Sequence, residues 1–271
     1  PPHLPTRAVS MGLSSAKQHS CPACSSCLPG KAPWNGSPGP GTGRSGGSCQ
    51  AWPKTVILVR HGESTYNAHY QARGVDPLNL WDAPLTPRGE DQARGATPEL
   101  EACGRVDLAL TSPLSRAIQT CLLALPPGTG RAAGRYEVSP LLAEHLEASC
   151  DLGRPPAELA AAFPQLDFGG LEEVWWYVPE EERRGATPAR SRALFAEAGR
   201  REPRASAERR VDALAGELAR RAERTIAVFG HADLFNLLLA RRFCTKDRGL
   251  ADYWMRNCEV LPLAVAGPWE L

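Results

Sequence analysis

No aspartate or glutamate occurs in the first fifty residues of this 271-residue chain. That stretch is dominated by Pro, Gly and Ser, as in G-S-P-G-P-G-T-G-R-S-G-G-S. It carries too little apolar surface to offset the entropy of ordering, so residues 1–52 are expected to form a disordered tail. Freedom from acids, with serines present, also suits an organellar transit region. Cys21, Cys24 and Cys27 follow His19 in C-x-x-C-x-x-C spacing. A zinc site wants two ligand pairs separated by a folded loop, so a Cys-rich flexible tail is the expectation. No apolar run approaches the roughly 18 residues of a membrane span, and the first residues lack the apolar core of a secretory signal. Charge excess is missing as well: the net charge of +1 gives no whole-chain reason to expect nucleic acid or an anionic membrane as partner. Nor is there a disulfide framework. Cys103, Cys121, Cys150, Cys244 and Cys258 are scattered without motif spacing, as reduced thiols would be. The expected compartment is the cytoplasm, or an organelle if residues 1–52 include a transit peptide. Oligomeric state stays open.

What is present is a globular composition, 42% hydrophobic and 23% charged, with length for one large domain over residues 53–271. Val56, Ile57, Leu58 and Val59 form a short continuous apolar run rich in β-branched residues, which predicts a strand buried on both faces of a sheet. It stops at Arg60-His61-Gly62. A helix is expected to begin within Glu63–Asn67, capped by Ser64 or Thr65, and residues 73–85 read as a loop. Thr86-Pro87 opens a helix expected to run towards Gly104, against the influence of Gly95 and Pro98. Asp107–Thr111, Tyr136–Val138 and Thr225–Phe229 read as further strands. Leu114–Leu125, Ala157–Phe163, Ala207–Arg221 and Asp233–Arg241 read as helices. Glu259–Ala266 is expected as an edge strand, because Pro262 is tolerated only there. The alternation predicts an α/β fold: three α/β/α layers around a mostly parallel sheet. Residues 164–205 are less regular and read as a lid-like insertion. Trp175-Trp176 within it is expected as a packing anchor, and the arginines from Arg183 to Arg210 as a solvated face.

In open α/β sheets ligands bind beyond the carboxyl ends of the strands. Arg60-His61 follows the first strand, Ser112-Pro113-Leu114-Ser115-Arg116 the second, Glu144-His145 lies after the third, and His231 follows the fourth. Two Arg, two His and a Glu would converge at one edge, while His145 has no matching context and reads as structural. Guanidiniums hold phosphoryl oxygens in bidentate fashion and stay charged. A neutral imidazole is a competent nucleophile towards phosphorus, and neighbouring positive charge keeps it unprotonated. A carboxylic acid could protonate the leaving oxygen and later activate water.

L-V-R-H-G-E-S-x-x-N at 58–67, S-P-L-x-R-A-x-Q-T at 112–120 and the late G-H at 230–231 together resemble branch 1 of the histidine phosphatase superfamily, the phosphoglycerate mutase-like group. The resemblance covers about 53–271. It implies a phosphoglycerate mutase-like fold and no metal or cofactor. It makes His61 the phosphorylated nucleophile, and Arg60, Arg116 and His231 the phosphoryl clamp, with a hydrogen bond from Asn67. It makes Glu144 the acid and base, with Glu147 and Asp151 as neighbouring alternatives. True mutases follow the acid with Arg and then Tyr-Gly, where this chain has His145-Leu146-Glu147. Their F-x-G-W-x-D loop is also replaced, by R-G-V-D-P-L-N-L-W-D-A-P. The expected activity is therefore hydrolysis of a small phosphorylated metabolite or other phosphomonoester. The alternatives are mutase-type phosphoryl transfer and a non-catalytic phosphate-binding scaffold.

Overall fold

The computed structural model describes residues 53–130, 132–243 and 253–265. The expected disordered tail with its four cysteines, and Cys244, lie outside the described residues. Strand β1 (Lys54–Arg60) is the spine of the sheet. Its successive side chains point to opposite faces. Val56 and Leu58 enter one apolar cluster and Ile57 and Val59 another, none of them more than 1% exposed. A continuous apolar run suits this position, because an alternating one would bury a polar face.

Helix α1 (Thr65–Arg73) starts at Ser64, whose hydroxyl accepts from the Asn67 N–H while Asn67 Oδ1 accepts from the Ser64 N–H. Gly74 ends it in the left-handed conformation, at φ 71°. The single helix expected from Thr86 is two, α2 (Pro87–Gly95) and α3 (Thr97–Ala102). Pro98 has no N–H to bond back across the junction, so the chain restarts a turn there. Then come β2 (Leu108–Thr111), α4 (Ser115–Ala124), β3 (Arg135–Val138) and α5 (Pro156–Ala162). The remaining elements are α6 (Glu180–Arg183), α7 (Pro188–Ala196), α8 (Arg204–Arg220), β4 (Thr225–Gly230), α9 (Ala232–Leu238) and β5 (Val260–Val265). Helix α9 is shorter than expected, because Leu239–Phe243 widens into a π-helical turn.

The sheet order is β3-β2-β4-β1-β5. All pairs are parallel except β1 with β5. Among the described residues β5 pairs with β1 alone, so Pro262 sits on an edge, where its missing N–H costs no ladder bond. Val211, Leu214 and Leu218 of α8 cover one face with Leu234 and Phe235 of α9. Leu100 of α3 and Cys121 and Ala124 of α4 cover the other. The result is a three-layer α/β/α fold. Between residues 164 and 205, Trp175, Trp176, Leu194 and Phe195 pack against Leu114 and Ile118 at the start of α4 and Leu159 of α5. The Trp176 indole N–H donates to Ser191 Oγ at 3.1 Å. Among the described residues no helix is long and apolar enough to cross a membrane.

Register aligns the strand ends. Arg60 lies opposite Gly230, and Thr111 opposite Phe229. Three neighbouring parallel strands therefore end almost level, and the residues leaving them are His61, Ser112 and His231.

Candidate active site

His61 leaves β1 with its N–H bonded to Gly230 O at 3.0 Å, still in the ladder with β4. Its Nδ1 lies 2.6 Å from Gly62 O, so Nδ1 carries the proton and donates to that carbonyl. Nε2 is then left with its lone pair. Arg116 Nε donates to this same Nε2 at 3.3 Å, which agrees with the assignment. Burial first, then the charges of Arg116 and Arg60, push the His61 pKa well below the usual histidine range. The imidazole is therefore neutral at physiological pH. Gly62 is required by close approach: a Cβ there would fall 2.4 Å from Gly89 O, and one on Gly89 would fall 2.0 Å from Glu63 O. The two backbones cross where only glycine fits.

His231 packs beside it, with ring centroids 5.2 Å apart. Its Nε2 is 2.8 Å from Ser112 Oγ, while its buried Nδ1 has no hydrogen-bond partner among the described residues. Burial, then the Arg116 charge, depresses its pKa as well. Arg60 donates from Nη1 to Met255 O at 2.7 Å, yet its buried Nε has no partner among the described residues. An unmet buried polar group costs about 1–3 kcal/mol, so two in one cluster call for an explanation. Arg116, 2% exposed, donates to Cys150 O at 2.6 Å and to Asp151 Oδ1 at 2.8 Å. Segment 255–258 braces the cluster from outside. Asn257 Nδ2 donates to His61 O at 2.9 Å, and the Cys258 N–H donates to Arg60 O at 3.0 Å.

The three acids near position 144 separate clearly. Glu147 is exposed. Asp151 is buried on Arg116 and accepts from the N–H groups of Ala148 and Glu147 at 2.9 and 3.3 Å. Burial pushes its pKa up, and the Arg116 pair and these bonds oppose the rise. Glu144 Oε1 accepts from the Leu234 and His145 N–H groups at 2.9 and 3.0 Å, and Oε2 only from the Asp233 N–H at 3.3 Å. Burial, then the charges of Asp151 and Asp233, push Glu144 up to about 7. Glu144 is thus placed to hold a proton near neutrality.

Asn67 is half-buried. Its Oδ1 is taken by the α1 cap, which leaves Nδ2 as its donor. Several supporting residues gave no sign in the sequence. Asp82, 3% exposed, accepts from the Ser115 N–H at 2.6 Å, from the Ser115 hydroxyl and from Arg154 Nε at 2.8 Å. It anchors the start of α4, and so the base of Arg116. His145, read from sequence as structural, bonds through both ring nitrogens. Several of the arginines from Arg183 to Arg210 are paired, as in Arg183–Glu172, Arg190–Glu182 and Arg210–Glu202. Among the described residues no three His, Cys, Asp or Glu side chains are grouped so as to hold a metal ion.

Residues 56–267 match the family model described as the histidine phosphatase superfamily, branch 1. A 2,3-bisphosphoglycerate-dependent phosphoglycerate mutase of Thermobifida fusca is 44% identical over 73 residues, 26% of this chain and 27% of that protein. A 2-carboxy-D-arabinitol-1-phosphatase of Triticum aestivum is 42% identical over 67 residues, 25% of this chain and 12% of that protein. These matches span less than a third of the length of the relatives. The α-ribazole phosphatase of Shigella flexneri superimposes with a TM-score of 0.49 at 18% identity, covering 79% of this chain and 95% of that one.

Proposed function

The chain belongs to branch 1 of the histidine phosphatase superfamily, and from that membership we propose that it hydrolyses phosphate monoesters through a phosphohistidine on His61. One observation carries the reading. A buried neutral imidazole turns its Nε2 lone pair towards Arg116, beside two buried groups without partners among the described residues, Arg60 Nε and His231 Nδ1. An anion seated among Arg60, Arg116 and His231 would satisfy both.

In the first step Nε2 attacks phosphorus and the ester P–O bond breaks. Glu144 gives its proton to the departing alkoxide. In the second step water attacks phosphorus and the P–N bond breaks, Glu144 takes the water proton, inorganic phosphate leaves and His61 returns neutral. Glu144 near pH 7 is poised for both directions of proton transfer. Asn67 Nδ2 supplies a further donor to the phosphoryl oxygens. No step calls for a metal ion, and the substrates are small phosphorylated metabolites.

The test is turnover of an aryl phosphate in excess EDTA by the full chain, with His61→Ala as the control. Rapid denaturation during turnover should yield a phosphoryl adduct on the His61 peptide that is stable in base and lost in acid. Unchanged turnover in His61→Ala removes this residue from the mechanism. The partial match to phosphoglycerate mutases supports a second reading, phosphoryl transfer between the hydroxyls of a phosphoglycerate without release of phosphate. Release of inorganic phosphate from the same substrate separates the two. Vanadate binding with no turnover on any substrate would instead favour a phosphate-binding scaffold.

A further inference from the structure

The loop that carries Glu144 belongs to no sheet ladder, so its position needs another cause. Arg210 of α8 supplies one part, donating to the carbonyls of Leu141, Ala143 and Glu144. His145 supplies the other. Its Nδ1 is 2.7 Å from Asp233 Oδ2 in the first turn of α9, and its Nε2 is 2.8 Å from Glu202 O, just before α8. Both nitrogens face oxygen acceptors, so both carry protons and the ring is an imidazolium. Its pKa is pushed up to about 9, chiefly by the Asp233 bond.

The groups around this ring form a short closed set. Glu147 Oε1 lies 3.4 Å from Nε2. The Glu202 carboxylate is held by Arg210 at 2.7 Å and accepts from the Leu146 N–H at 3.3 Å. Glu144 and Asp233 share one helix end: Glu144 takes the N–H groups of Asp233 and Leu234, while Asp233 reaches away to His145. Without the imidazolium, Asp233 would be an unpaired carboxylate competing for those same N–H groups and repelling Glu144.

We propose that His145 is a positioning residue for Glu144: by tying Asp233 aside and pinning the loop to α8, it holds the Glu144 carboxyl where the leaving oxygen departs. This rests on the phosphatase reading above. It predicts a selective defect. Poor leaving groups need the proton from Glu144, whereas p-nitrophenolate departs without it.

The experiment measures kcat/KM for phosphate monoesters of graded leaving-group pKa, from p-nitrophenyl to alkyl. H145Q should lose about 10–100-fold on alkyl phosphates and less than about 3-fold on p-nitrophenyl phosphate, a part of what full loss of a general acid costs. E144Q should show the same selective pattern, and adding H145Q to it should cost nothing more, because the two act as one unit. D233N, which keeps an acceptor for His145 but removes the charge beside Glu144, should move the alkaline fall in kcat/KM for alkyl phosphates to lower pH by about one unit. It carries the test should H145Q fail to fold. Equal losses on both substrates, full additivity with E144Q, or an unmoved profile in D233N would overturn the proposal. Wild-type protein inert on every monoester would overturn the phosphatase reading itself, and this inference with it.

Discussion

The proposed phosphate half of the site grows from strand ends, and the proposed proton half hangs on a loop. His61, Ser112 and His231 follow three neighbouring strands whose last residues are in register. Their spacing is a property of the sheet, which buried side chains on both faces keep rigid. Glu144 and Asp151 lie in a stretch without a ladder, tied by an Arg210 fan, a His145 bridge and the Arg116 pair. A ladder distributes its constraint over many equivalent bonds. A loop fixed by single charged groups concentrates it, so one substitution there reaches further. It also makes the second half sensitive to pH and the first nearly indifferent.

The largest expected effect tests the first half. His61→Ala should reduce kcat by about 10⁴-fold or more with an unchanged unfolding transition, because the sheet does not depend on that side chain. A variant that unfolds instead would break the contrast. Asp151→Ala tests the second half, since it leaves the buried Arg116 without its counter-ion. It should cost about 3–5 kcal/mol in denaturant unfolding. The pH contrast comes next. With the Glu144 pKa at about 7, kcat/KM for alkyl phosphates should fall by about tenfold per unit above that value, because the acid form is lost. His61, the proposed nucleophile, is held well below the usual histidine range and should add no fall on the acid side until far lower pH.

Stability should follow His145 with a defined sign. Its folded pKa of about 9 lies above the ordinary 6.5, so its contribution is complete below about 6.5 and disappears as pH rises through 9. Thermal stability should fall across that window, and H145Q should flatten the curve. The smallest effect sharpens the boundary between the halves. Asn67→Asp keeps the Oδ1 that caps α1 but removes the Nδ2 donor and adds negative charge. KM should rise by about tenfold with little change in melting temperature.

This division also separates the legible residues from the silent ones. The continuous apolar run of β1 announces a buried strand, its stop at Arg60 announces the edge, and Pro262 announces an outer strand, since each depends on neighbours in sequence. The break between α2 and α3 is written in Pro98 and masked by the strong Thr86-Pro87 start. The bond from Asp82 to Ser115, across 33 residues, and that from His145 to Asp233, across 88, leave no local trace. Charged residues reveal their kind but not their partner, so the half of the site built from such pairs is the less legible. The aromatic pair is clearer: Trp175 and Trp176 are 6% and 1% exposed, as packing demands of large apolar rings.

The edge strand β5 has a reach beyond its own ladder. The stretch leading into it holds the carbonyls of Arg60 and His61 through Cys258 and Asn257, with Cys258 turned to a left-handed φ of 56° to do so. Residues 196 positions further along the chain thus brace the backbone that carries the proposed attacking ring. A clip or fusion that peeled β5 from the sheet would silence the centre while leaving its reactive side chains in place.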